Sequence, residues 1–221
     1  MEKQEIKNLK TQDLRTFGRR HGKKLSNRKQ WLMDNLLPEM TPKAKDLFGE
    51  SLVLEIGFGN GEHLRDLALN NPDKIIIGAE PFANGVAALL SAITNESDNT
   101  LLNEYKNIRI WPDDVRLMLK DFNNIKFGEI WVLHPDPWPK ARHEKRRLLN
   151  HVFLNLLSKF MTKESSIIIG TDHWEYYDWI IEQLKQTNLS IKTTELDTIK
   201  TRYQIKNKAG TTNPKYLILS I

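Results

Sequence analysis

From residue 51 onward the chain alternates short apolar runs with stretches of helical period, and this restricts the possible folds more than any other feature. Leu52-Val-Leu-Glu-Ile56, Ile75-Ile-Ile-Gly-Ala79, Ile108 to Trp111, residues 129–133 and Ser166 to Gly170 each read as a buried strand. Between and after them lie helical stretches through Leu69, through Ile93, around Val115 to Leu119, over 146–160 and over 174–186. In the fourth of these, Leu148, Leu149, Val152, Phe153, Leu156 and Leu157 share one face. Two late strands are expected over 190–196 and 215–221. Such alternation calls for an α/β fold, a mostly parallel sheet wound right-handed with helices on both faces. Ahead of it, residues 29–37 form a short amphipathic helix carrying Trp31, Leu32, Leu36 and Leu37, ended by Pro38.

In sheets of this kind ligands sit outside the carboxyl ends of the strands. Those ends carry Gly57-x-Gly59-x-Gly61, Glu80, Asp113-Asp114, Asp136 and Asp172. The glycines let backbone approach a ligand at a helix N-terminus. A dinucleotide fingerprint needs glycine or alanine where Glu62 stands, and an acid there repels a pyrophosphate. The phosphate loop ending in Gly-Lys-Ser/Thr is absent. Glu80 ends the second strand, 19 residues past Gly61, where an acid grips ribose hydroxyls. Glu55, inside the first strand, calls for a cation or a polar ligand beside it. S-adenosylmethionine meets these demands, with ribose and adenine, no phosphate, and a positive amino group and sulfonium.

The stretch Ile130-Trp-Val-Leu-His-Pro-Asp-Pro-Trp-Pro-Lys-Ala-Arg-His-Glu-Lys-Arg-Arg147 leaves a strand and enters a loop stiffened by Pro135, Pro137 and Pro139. The loop holds Asp136 beside Trp138, and Lys140, Arg142, Lys145, Arg146 and Arg147 follow. A carboxylate, an aromatic ring and a cationic block suit a base held by hydrogen bonds while its phosphates are neutralised. Trp138 either stacks on that base or packs under the loop. Charge is localised in the same sense: residues 1–30 sum to +7, so the rest of a chain of net +5 sums to −2. Residues 1–30 are therefore read as a basic arm, with Arg15, Arg19, Arg20, Lys23, Lys24, Arg28 and Lys29 available to a polyanion, and residues 31–221 as one domain. Absence of cysteine excludes disulfides and thiolate zinc sites and agrees with a cytoplasmic location. No apolar run reaches membrane-spanning length, the start lacks a secretory core, and the histidines show no metal-ligand spacing, so neither membrane nor metal is expected.

These residues resemble the tRNA (guanine-N7-)-methyltransferase family. Leu54-Glu-Ile-Gly-Phe-Gly-Asn-Gly61 is similar to its cofactor loop, His134 to Arg147 to its signature block, and Arg15-Thr-Phe-Gly-Arg-Arg20 to its basic N-terminal motif. The resemblance implies a Rossmann-like class I methyltransferase fold with seven strands, the last antiparallel. It implies S-adenosylmethionine as co-substrate, tRNA as partner, no obligatory protein partner, and methylation at N7 of the variable-loop guanine conventionally numbered 46. By the same resemblance Glu55, Gly57, Gly59, Gly61, Glu80, Asp113 and Asp136 bind cofactor, with Asp114 an alternative to Asp113. Asp136 is also the catalytic residue, and Lys140, Asp172, Thr201, Arg202, Tyr203 and Gln204 bind substrate. Gln204 departs from the family's usual glutamate, keeping an acceptor and losing the charge. Two other readings use the same residues: methylation of a different RNA base, and a non-catalytic RNA-binding protein on the same fold. Acids at every expected strand end weigh against the second.

Overall fold

Along the first strand Leu52, Leu54 and Ile56 face one layer of helices, while Val53 faces another. A computed structural model of the chain describes residues 17, 18, 20–44, 47, 51–193 and 214–221. Its elements run α1 (Asn27–Asn35), α2 (Leu37–Met40), β1 (Leu52–Ile56), α3 (Glu62–Asn70), β2 (Ile75–Ala79) and α4 (Ala83–Ala92). There follow β3 (Ile108–Trp111), α5 (Val115–Asp121), β4 (Glu129–Leu133), α6 (His151–Ser158), β5 (Ser166–Thr171), α7 (Trp174–Leu184), β6 (Ser190–Thr193) and β7 (Lys215–Ser220). The seven strands form one sheet in the order β3-β2-β1-β4-β5-β7-β6. β1 to β5 pair in parallel, and β7 runs antiparallel to both of its neighbours.

Apolar residues of α1 to α4 pack on one face of this sheet and those of α5 to α7 on the other. The five parallel strands are short and apolar because both their faces are covered. β6, at the sheet edge, is largely exposed. Strand order reverses between β1 and β4, which opens a crevice at their carboxyl ends. Among the described residues no helix is long and apolar enough to cross a membrane.

Two helix boundaries differ from expectation. Pro38 does not end a helix; it sits in the first turn of α2, where its missing N–H costs nothing. The helix expected from residue 146 starts at His151, with the Asn150 side chain accepting from the Phe153 N–H at 2.9 Å. Residues Ala141–Arg146 form a 3-10 segment instead, and Arg147 is extended. The buried face of α6 is accordingly Phe153, Leu154 and Leu157, and Val152 is exposed.

Candidate active site

The crevice is walled first by the loop after β1. Gly57, Gly59 and Gly61 all take left-handed backbone, with φ of 75°, 60° and 79°, which other residues adopt only under strain. A Cβ on Gly57 or Gly59 would meet nothing within 4 Å, so this side of the loop is open. Behind it, a Cβ on Gly85 would collide with the Gly59 carbonyl, so that glycine lets α4 close up on the loop.

Glu80, at the end of β2, braces the same loop. Its Oε2 accepts from the Gly59 N–H at 2.9 Å and its Oε1 from the Phe82 N–H at 2.8 Å. Burial pushes its pKa up; the two N–H donors oppose this, and the charges of Asp136 and Glu55 raise it further. Glu55 of β1, Glu80 at the end of β2 and Asp136 after β4 are thus near enough to act on one another. Glu55 is buried, and its Oε2 lies 3.2 Å from His63 Nδ1 without hydrogen-bond alignment. The His63 ring in turn leans on Trp131, centroids 4.8 Å apart, and Trp131 is the ladder neighbour of Glu55. A buried carboxylate oxygen with no aligned donor, beside an open glycine loop, suits a ligand bringing its own ammonium or hydroxyl groups.

The pair after β3 divides its labour. Asp114 is buried and caps α5, accepting from the Arg116 N–H at 2.9 Å and pairing with the Arg116 guanidinium at 2.6 Å. Asp113 is one-third exposed and pairs with Arg20 at 2.6 Å. Asp113 is thus the acid free of helix capping. Arg20 is one of several arm contacts here: the Gly22 N–H donates to Asn84 Oδ1, and Asn84 Nδ2 donates to the Lys23 carbonyl.

The loop after β4 is strained at two non-glycine positions, His134 (φ 49°) and Trp138 (φ 43°). His134 Nδ1 lies 3.7 Å from Asp172 at the end of β5. Burial pulls the His134 pKa down, while the Asp172 charge opposes it. Asp136 is exposed on this loop, and Lys140 stands exposed at its end, before the 3-10 segment. Trp138 is not open for stacking on both faces: the Arg146 guanidinium lies 4.9 Å from its ring centroid and His143 abuts it edge-on. Arg146 also lies 5.3 Å from the Phe17 ring, which ties the arm to the loop.

Two cations read as phosphate contacts are committed inside the protein. Arg147 is 4% exposed; its Nε donates to the Pro137 carbonyl at 2.8 Å, and its guanidinium lies over the Tyr176 and Trp179 rings. Arg28 donates to Ser91, Thr94 and Asn99, anchoring α1 to the end of α4. His63 and Arg147 carried no local signal of these roles, because their partners lie on other elements. Arg15, Arg19 and the segment Thr201, Arg202, Tyr203, Gln204 lie outside the described residues.

Residues 49–214 match a family model described as "Putative methyltransferase". The tRNA (guanine-N(7)-)-methyltransferase of Neorickettsia sennetsu is 36% identical over 197 residues, covering 89% of this chain and 87% of the relative. That of Zymomonas mobilis is 38% identical over 209 residues, covering 87% of each. Among solved structures, an antibiotic-related methyltransferase superposes with a TM-score of 0.55 at 14% identity over 90% of this chain and 96% of the other. The 16S rRNA methyltransferase KamB superposes at 0.54 and 12% identity, over 90% and 95%. These two structures establish the likeness of fold.

Proposed function

This chain belongs to the tRNA (guanine-N(7)-)-methyltransferase family, and we propose that the guanine it methylates at N7 is the variable-loop guanine of tRNA conventionally numbered 46. S-adenosylmethionine supplies the activated methyl group. Gly57, Gly59 and Gly61 let the backbone approach the co-substrate, Glu55 meets its ammonium, Glu80 its ribose hydroxyls and Asp113 its adenine. Arg20 must share or release Asp113 when that happens.

Asp136 is the catalytic residue in this reading. N7 of neutral guanine already offers a lone pair, so Asp136 has no proton to remove. It accepts from the guanine N1–H and N2–H₂ and so fixes the base. As the N7–methyl bond forms, the methyl–sulfur bond breaks, the sulfonium is left as a neutral thioether, and the positive charge passes to the imidazole ring, where Asp136 beside the base favours it. Lys140, Asp172 and the segment Thr201, Arg202, Tyr203, Gln204 receive the RNA. Phosphates meet the basic arm of residues 1–30 and exposed Lys140, Arg142 and Lys145, while Arg28 and Arg147 take no part. The methyltransferase domain proper is residues 31–221, and a chain without cysteine fits the cytoplasm, where tRNA matures.

The observation that carries this reading is buried Glu55, with an oxygen lacking an aligned donor, next to the open Gly57–Gly61 loop that Glu80 braces. Mapping 7-methylguanosine in tRNA from cells lacking the protein tests it: the modification is expected to vanish from the variable loop, and its persistence there contradicts the assignment. For the residue itself, Asp136→Ala is expected to lower turnover at least about tenfold, because charged hydrogen bonds are worth about 1.5–3 kcal/mol. Wild-type turnover in a folded variant would remove Asp136 from the mechanism.

A further inference from the structure

Past Asp172, at the end of β5, lie two side chains that the methyl-transfer reading gives no role, Trp174 and Lys215. Trp174 opens α7 two residues past Asp172 and leaves 49% of its surface to solvent. Lys215, the first residue of β7 and ladder partner of Thr171, sets its ammonium 3.4 Å from the Trp174 ring centroid and 4.3 Å from that of Tyr177. An ammonium over an indole face is held by the ring's quadrupole. Lys215 therefore fixes the ring and occupies one of its two faces, leaving the exposed surface already ordered for a second flat group. A binding surface ordered beforehand loses little freedom when its ligand arrives.

Apart from Lys215, the charged neighbours of Trp174 along the chain are acidic. Asp172 precedes it, Glu175 follows it, and Asp178 stands one helical turn on. Carboxylates repel a phosphate and accept from N–H donors. A half-exposed indole held by an ammonium offers its remaining surface to a second flat ring. Trp138 is less exposed than Trp174, with His143 abutting it as well as Arg146.

We propose that Trp174, backed by Lys215, is a stacking platform for an unstacked base of the RNA substrate; this rests on the tRNA-methylating reading above. Base stacking on an aromatic side chain is sequence-tolerant and strong enough to show in a single substitution. The test measures equilibrium binding of a tRNA transcript alongside methyl transfer, for the wild type and for Trp174→Ala, Trp174→Leu and Trp174→Phe. Trp174→Ala and Trp174→Leu are expected to weaken tRNA binding about tenfold, with S-adenosylmethionine affinity and thermal midpoint near wild type. Trp174→Phe is expected to restore most of the loss. Unchanged tRNA affinity in Trp174→Ala, or Leu serving as well as Phe, overturns the platform. A wild type that binds tRNA without methylating it contradicts the enzymatic reading alone, and the ratio of binding constants still decides the platform.

Discussion

Arg147 is enclosed by Tyr176, Trp179 and the Pro137 carbonyl, with Glu144 3.7 Å away. A buried guanidinium is tolerable only where acceptors and ring faces surround it. What it secures is the Pro137–Trp138 corner, where a tryptophan is held at positive φ two residues past Asp136 in the same loop. Arg147→Lys keeps the charge and loses the planar fork. Turnover is expected to fall about tenfold, in line with the ~1.5–3 kcal/mol of a charged hydrogen bond. Wild-type turnover in that variant would show that the clamp does not set the loop. In sequence Arg147 cannot be told from Lys145 or Arg146; only the fold brings Tyr176 and Trp179 beneath it. Glu80 gives a pH prediction. Its raised pKa means that its ionised form is fully tolerated only in the unfolded chain, so this group's contribution to stability is present below 4.5 and lost as pH rises through the folded value. Ribose hydroxyls need the ionised form. S-adenosylmethionine affinity is thus expected to fall on acidification from above the ordinary carboxylate range, and Glu80→Gln to flatten that limb in a titration series. An unchanged limb in the variant would assign it to another group.

α6 shows where local pattern stops being informative. The apolar spacing from Leu148 to Leu157 is continuous, so a 3.6-residue period runs across the break at Arg147 to Asn150 without registering it. The break is made by Arg147, drawn into an extended conformation under the loop, and by Asn150, which supplies the cap. Asn150→Ala is expected to cost about 1 kcal/mol, measured as a lower urea midpoint with unchanged slope. An unchanged midpoint would mean the cap is made by something else. Pro38 misled for a related reason, since proline stops a helix from behind and starts one equally well. The strands were legible because β1, β2 and β5 are buried on both faces and read as short apolar runs, while β3 and β4 bury alternate residues.

Across the whole molecule, parallel winding is what gathers acids scattered over the sequence onto one edge, and that much follows from strand ends alone. The return of the N-terminal segment to the crevice does not. Arg20 reaches Asp113 across 93 residues and Arg28 reaches Asn99 across 71, pairings with no local signature. Of the segment read as a basic arm, the described residues Arg20, Gly22 and Lys23 thus lie against Asp113 and Asn84. The central claim is methylation at N7 of a single guanine, and one substitution in the RNA addresses it. Transcripts of one tRNA carrying guanine or 7-deazaguanine at position 46 differ by the acceptor nitrogen alone. Labelled S-adenosylmethionine is expected to transfer its methyl group to the first and not to the second. Equal incorporation into both would place the methyl group elsewhere and contradict the account.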